Sequence, residues 1–72
     1  MKLRELLNVI SKDQKVFISI YSDHDIPAFR KGKVDDLTLD EDILNCRVVC
    51  VDVGTDTRFM YIDCREDEDV EL

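Results

Sequence analysis

The only histidine of the chain stands between two aspartates, in the stretch Asp23-His24-Asp25. An imidazole flanked by carboxylates can bind a divalent ion or transfer a proton. Metal sites, however, combine several ligands at repeated spacings, and the sequence has no second histidine and no nearby cysteine. Aspartate and serine also stabilise bends by bonding to local backbone groups, and Pro27 follows. We therefore interpret residues 22–27 as a turn, with a metal or catalytic site as the alternative.

Three cysteines, Cys46, Cys50 and Cys64, are the other reactive side chains. Cys46 and Cys50 are four residues apart, which on one face of a strand separates them by about 13 Å, too far for one tetrahedral ion. We expect reduced thiols that pack as small apolar groups. The alternative is a reactive Cys64, because a hairpin register that sets it opposite Arg47 would lower the pKa of its thiol.

Motifs of catalysis are missing from the sequence, since it contains no phosphate loop, dinucleotide fingerprint or nucleophile elbow. With one histidine and 72 residues, a base, an orienting group and a pocket are hard to assemble. We expect a protein that is not an enzyme and needs no cofactor or metal.

Charge is distributed unevenly along this acidic chain, whose net charge is −7. Residues 1–36 carry seven basic and six acidic side chains, whereas residues 37–72 carry three and eleven. The one basic cluster contains Arg30, Lys31 and Lys33, which are candidates for binding an anion, although a solvated hairpin explains them more simply. Because phosphate binding needs a basic surface, direct nucleic-acid binding is disfavoured.

The N-terminal segment predicts an amphipathic helix, with apolar residues at positions i, i+3, i+4 and i+7: Leu3, Leu6, Leu7 and Ile10. Arg4 and Glu5 interrupt any signal-peptide core, and no apolar run is long enough to span a membrane. We therefore expect a cytoplasmic protein.

Four strands follow the helix. Residues 15–21 and 28–34 predict a hairpin with a bulge at Gly32, and residues 46–53 and 58–64 predict a second hairpin. Thr38 and Glu41 form a capping-box pattern that indicates a short helical turn between the hairpins. The fold class is thus α+β: an N-terminal helix packed on a small, mainly antiparallel four-stranded sheet, with a curl towards a small barrel as an option. The strand order is left open.

The chain divides into one domain, residues 1–65, and an acidic segment, residues 66–72, which we expect to be disordered. That segment contains Glu66, Asp67, Glu68, Asp69 and Glu71. It either serves solubility alone or imitates nucleic acid towards a basic protein.

Both faces of the predicted sheet are apolar. If Val53 faces Arg58, then Val49 and Val51 oppose Ile62 and Met60 on the face that the helix covers. The other face collects Phe17, Tyr21, Val48, Cys50, Phe59 and Tyr61. Either loops, the short helical turn, the last residues or barrel closure cover this second face, or it is an interface with another copy or a partner. A platform that stacks a nucleotide base is a third option.

The whole pattern, from "MKLRELL" and "KVFISIY" through "GKV" and "DL" to "CRVVCVDV" and "MYIDC", resembles short proteins encoded by phages and mobile elements of gut Firmicutes. The order of elements is also similar to that of Sm-like and other small β-barrels, but no RNA-site motif is present. The first resemblance implies an accessory protein that acts on a host component, and it transfers no functional residue.

These observations give two leading hypotheses and a third. The first is a non-catalytic interaction protein, a homo-oligomer and most simply a dimer, that binds and inhibits a host protein. The second is a small-ligand binder that sequesters a nucleotide-like anion with the second face or an oligomer interface and with the basic cluster. The third is a structural or regulatory subunit.

Overall fold

A computed structural model describes residues 1–22, 26–54 and 58–66. Its elements are helix α1 (Leu3–Val9), strands β1 (Lys15–Tyr21) and β2 (Ala28–Lys33), a 3-10 turn (Val34–Asp36), helix α2 (Glu41–Leu44), and strands β3 (Arg47–Val53) and β4 (Phe59–Arg65). The predicted class is confirmed: α1 packs on one four-stranded sheet. The sheet is open and is not closed into a barrel, so the barrel option is wrong.

The strand order, which the sequence left open, is β2-β1-β4-β3. Each predicted hairpin forms an antiparallel pair, and the two hairpins meet where β1 runs parallel to β4. Gln14 links the first residues of the central strands β1 and β4, because its Nε2 donates hydrogen bonds to the carbonyl oxygens of Lys15 (2.8 Å) and Arg58 (2.9 Å). The sheet is therefore mixed, with β2 and β3 as its edges.

Helix α1 covers one side of the sheet with the apolar stripe that its periodicity predicted. Leu3 and Leu7 are buried, and Leu6 and Ile10 pack against the core from its margin. The helix begins with a polar cap in which the backbone N–H of Lys2 donates to Glu5 Oε1 at 2.8 Å. This bond satisfies a backbone donor at the start of the helix and fixes the first turn.

The core lies between α1 and the inward-facing residues of the two central strands. Val16 and Ile18 of β1 and Ile62 and Cys64 of β4 are fully buried. Apart from Ser19, which is also buried, their neighbours within the strands are exposed or half-buried, which is the period-two pattern of a sheet covered on one side. The segment between the hairpins closes the same side, since Ile43 of α2 is also buried.

Strand β3 departs from the predicted register. Its ladder is shifted by two residues, so that Val51 pairs with Ile62 rather than with Met60. An irregularity between Val48 and Cys50 then inserts one extra residue. A β-bulge of this kind changes which side of the sheet the following residues face.

Part of the predicted core is wrong. Val49, Val51 and Val53 were expected under the helix, yet all three are exposed. Val51 and Val53 do pair with helix-side residues, but they lie on an edge strand of the sheet. Val48 was expected on the second face, yet it pairs with buried Cys64 and packs against the core. Because Val48 and Val49 are both valine, side-chain type could not tell which of them would face inwards.

Two local predictions in the middle of the chain are wrong. The ladder between β1 and β2 is regular through Gly32, so no bulge occurs there. Gly32 instead has φ +147°, a conformation that favours glycine, with Leu37 packed nearby. Helix α2 begins after Asp40 and not after Thr38, and that N-cap shows no side-chain hydrogen bond.

Candidate functional site

The side of the sheet that α1 does not cover is the candidate site, and we call it the open face. Strand pairing assigns to it alternate residues of all four strands. They are Lys15, Phe17, Ser19 and Tyr21 of β1, Phe29, Lys31 and Lys33 of β2, Arg47, Cys50 and Asp52 of β3, and Phe59, Tyr61, Asp63 and Arg65 of β4. Helix α2 and the 3-10 turn pack on the other side, against the core.

Four aromatic rings form a continuous row across three strands of the open face. The ring of Phe17 lies 5.6 Å from Phe29 and 5.8 Å from Tyr61, measured between centroids, and Tyr61 lies 6.5 Å from Phe59. All three pairs are tilted, which is a favourable geometry for aromatic rings. Phe29 and Tyr61 keep 54% and 36% of their surface exposed. The row is thus an exposed apolar surface and not a second core.

Tyr21 lies on the same face, so that all five aromatic residues of the chain are on one side of the sheet. The sequence pattern predicted four of them on this face but not Phe29. The missing information was the register of the first hairpin, which pairs Phe29 with Ser19. Ser19 itself is buried on this face, although it is polar.

Basic side chains surround the aromatic row. The Nζ atoms of Lys15 and Lys31 lie 6.0 and 5.9 Å from the centroid of Phe59, within the range of a cation–π contact. Among the described residues, the open face carries five basic side chains and two acidic ones; they are Lys15, Lys31, Lys33, Arg47 and Arg65 against Asp52 and Asp63. This face is therefore locally basic in an acidic protein.

The acidic residues of the central segment are on other surfaces. Asp35 and Asp36 belong to the 3-10 turn, and Asp40, Glu41 and Asp42 lie at the start of α2; all five are exposed. Both elements pack on the helix side. The fold thus separates charge by face as well as by halves of the sequence.

The predicted anion-binding cluster is divided by the strand. Lys31 and Lys33 are on the open face, whereas Arg30 pairs with Ile18 on the helix side and its Nη1 donates to the carbonyl oxygen of Phe29 at 2.9 Å. Lys33 instead joins Lys15 and Arg58 in a recess of about 310 Å³, which Asp13 and Gln14 complete. A small anion would meet three cations there, at the end of the aromatic row.

The three thiols have different surroundings. Cys46 is buried and lies just before β3, with its Sγ 3.3 Å from the carbonyl oxygen of Asp42, whereas Cys50 is exposed on the open face. They do not share a strand face as the sequence suggested. Cys64 is fully buried. The pKa of its thiol is raised to about 12, mainly by this burial and to a smaller extent by the nearby Cys46 and Asp63.

The alternative prediction, that the thiol of Cys64 is reactive, is therefore wrong. The residue opposite it is Val48, not Arg47, and a raised pKa keeps the thiol protonated and poorly nucleophilic at neutral pH. Within residues 1–22, 26–54 and 58–66, no group of three or more histidine, cysteine or acidic side chains is placed to hold a metal ion.

Two predicted features lie outside the described residues. These are the turn at Asp23, His24 and Asp25, and the acidic residues Asp67, Glu68, Asp69 and Glu71. Of the acidic segment only Glu66 is described, and its backbone N–H donates to the carbonyl oxygen of Tyr21 at 2.8 Å.

The chain matches no protein-family model, no curated protein and no solved structure. In the described part of the chain, neither helix has the length and apolar character needed to cross a bilayer. The open face is therefore the feature of the chain from which a function can be inferred.

Proposed function

We propose that the chain is a small non-catalytic interaction protein that binds another protein through its open face. The observation that carries this proposal is the row of four rings with lysines along it. Aromatic side chains are the commonest anchors of protein interfaces, and Arg and aromatic residues are enriched there. The row crosses three strands, which suits a macromolecular partner better than a ligand the size of one base.

The charge of the open face indicates the chemistry of that partner. Lys15, Lys31 and Lys33 favour a docking surface that combines apolar groups with carboxylates, because complementary potentials speed and orient association. In the setting implied by the resemblance to phage and mobile-element proteins, the partner is a host protein in the cytoplasm, and binding inhibits it. Three free cysteines are consistent with a reducing compartment.

The first test compares paired variants in an affinity purification from a Firmicutes lysate. The tagged wild-type chain is compared with Phe29→Ser/Tyr61→Ser on the open face and with Val9→Ser/Ile26→Ser as a control. Val9 and Ile26 are exposed apolar residues outside the open face. We expect a nuclease-resistant partner that is lost with the first pair and retained with the second.

Equal recovery with both variant pairs would contradict the proposal. A partner lost on nuclease treatment would identify nucleic acid as the ligand, against the expectation from the net charge. Circular dichroism of each variant checks that the fold is intact, so that a lost partner is not the result of unfolding.

The second candidate is a binder of a nucleotide-like anion, and one specific arrangement favours it. The ring of Phe59 lies beside Lys15 and Lys31, and the recess with Lys33 and Arg58 opens nearby. A base stacked on the ring would leave its phosphate near these cations. Native mass spectrometry of the freshly purified protein tests this candidate, since an added mass lost in Lys15→Gln/Lys33→Gln but kept in Lys12→Gln would support it.

A further inference from the structure

The two edges of the sheet are protected very differently. Edge strand β2 carries Arg30, Lys31 and Lys33 in six residues, and charged side chains of this kind discourage pairing with another strand. Edge strand β3 reads RVVCVDV and leaves Val49, Val51 and Val53 exposed by 57, 44 and 62%. An apolar edge with unpaired backbone groups is a template for a further strand.

The first residues of the chain cover only the beginning of this edge. The backbone N–H of Val48 donates to the carbonyl oxygen of Met1 at 2.8 Å, and Lys2 forms an antiparallel bridge with Arg47. From Val49 to Val53, β3 is the last strand of the sheet in the described part of the chain.

We propose that two copies of this chain associate by antiparallel pairing of their β3 edges over residues 49–53. The pairing is centred on Val51, which faces Val51 of the second copy across a twofold axis. Cys50 then lies opposite Asp52, with both on the open face, and Val49 lies opposite Val53. A centre at Asp52 would instead set two carboxylates directly opposite each other, which is destabilising.

A second copy fits this edge because the strand is complementary to itself. Centring on Val51 keeps the helix-side residues with each other and the open-face residues with each other, as the pleat requires. It also places exposed valines together, so that apolar surface is removed from water on both copies. Association of two open faces is disfavoured by comparison, because it would bring two sets of lysines together.

The assembly would be one continuous eight-stranded sheet. A twofold axis perpendicular to the sheet places both open faces on the same side, and the helices of both copies on the other. The dimer would therefore present two aromatic rows to one partner, which would raise the strength of binding through two linked contacts. This inference does not depend on the proposed function, since the edge pairs whether or not the open face binds anything.

Sedimentation equilibrium over a concentration series tests the association. We expect a monomer–dimer equilibrium for the wild-type chain. For Val51→Lys, the dissociation constant of the dimer should rise by about tenfold or more. Val9→Lys, on the exposed side of α1, is the matched control and should leave the equilibrium unchanged. Circular dichroism confirms that each variant is folded.

A cysteine cross-link tests the register without disturbing the core. Directly opposite residues of antiparallel strands have Cα atoms about 4.5–5.5 Å apart, which a disulfide can span. Under mild oxidation Asp52→Cys should cross-link to Cys50 of the second copy and yield a covalent dimer. Wild type and Asp52→Ser should not, because the two Cys50 residues are offset by two positions, more than about 7 Å.

A wild-type chain that is monomeric across the whole series would overturn the proposal. The edge of β3 would then be available to pair with an extended segment of another protein. A dimer that Val51→Lys leaves intact would overturn it as well. A covalent dimer that forms equally well in Asp52→Ser would show that the register centred on Val51 is wrong.

Discussion

The two faces of this sheet are made from the same strands, yet one is largely buried and the other remains partly exposed to solvent. On the helix side, Val16, Ile18 and Ile62 are fully buried. On the open face, aromatic rings of comparable or larger apolar surface lie in contact with one another and remain partly exposed. Both faces are therefore apolar, but only one of them is the core of the described chain.

This difference separates what folds the protein from what is available for binding. Burying an aliphatic side chain contributes roughly 1.5–3 kcal/mol, so the helix side accounts for most of the hydrophobic stabilisation. The apolar surface left on the open face stabilises the monomer little, and large exposed apolar patches mark interaction sites. Substitutions on the two faces should consequently have different effects.

The largest expected effect is on the helix side. Ile18→Ala removes a fully buried side chain from a central strand and should lower the free energy of unfolding by about 2–5 kcal/mol. A domain of this length has a total stability of roughly 4–11 kcal/mol, so much of it would be lost. Urea denaturation measures this change, and a loss below about 1 kcal/mol would contradict the assignment of the core.

The helix-side thiol of Cys64 should contribute to the pH dependence of stability in the alkaline range. The thiol of Cys64 has a folded-state pKa of about 12 against an ordinary value of 9.0. Below pH 9 it is protonated in both states. Above pH 9 the unfolded chain releases this proton first, so the free energy of unfolding should fall up to about pH 12, by at most ~1.4 kcal/mol per pH unit.

Two cysteine variants isolate this effect. Cys64→Ala should remove the contribution of this thiol to the alkaline loss of stability, whereas Cys50→Ala, on the open face, should keep it. Urea titrations at several values between pH 8 and pH 11 measure both slopes. If the free energy of unfolding fell equally steeply with pH in both variants, the assignment of this effect to the Cys64 thiol would be contradicted.

On the open face, Phe29→Ala should have a smaller effect on stability. The ring is half exposed and its ring contact is with Phe17, so we expect a loss of about 1 kcal/mol. Thermal and urea denaturation measure it beside Ile18→Ala. A loss as large as that of Ile18→Ala would mean that the open face is a second core.

The smallest effect should come from the polar margin of the helix side. Arg4 pairs with Glu41 and its Nη2 also donates to Asn45 Oδ1 at 3.3 Å, both on the surface. Partly exposed ion pairs contribute about 0.2–1 kcal/mol and are weakened by salt. Arg4→Ala should therefore cost less than about 1 kcal/mol, and the cost should fall further in high salt. A larger, salt-independent cost would show that this margin belongs to the core.

Much of the fold could be predicted because side-chain periodicity records which side of each element is buried. The stripe of Leu3 and Leu7 and the alternation around Ile18 identify α1 and β1. The strand order could not be predicted, because the parallel pairing of β1 with β4 depends on long-range packing and not on a local turn. Nor could the bulge in β3, where neighbouring valines give no signal of which one faces inwards.

The candidate site was predicted in part for the same reasons. The parity of β1 and β4 assigns Phe17, Tyr21, Phe59 and Tyr61 to one face of the sheet. Phe29 was missed, and Val48 was included wrongly, because each depends on a cross-strand register that the sequence does not show. Net charge was also a poor guide, since lysines and acidic residues that cancel in the sum are on different surfaces of the molecule.

The most direct test of the open face as a binding surface is chemical-shift mapping on the ¹⁵N-labelled chain. The unlabelled protein fraction of a Firmicutes lysate is added, after nuclease treatment and removal of small molecules. We predict that the amides of Phe17, Phe29 and Tyr61 shift or broaden while those of α1 stay unchanged, and that Phe29→Ser/Tyr61→Ser abolishes the response. Changes confined to α1 or α2, with the amides of the open face unaffected, would contradict the account.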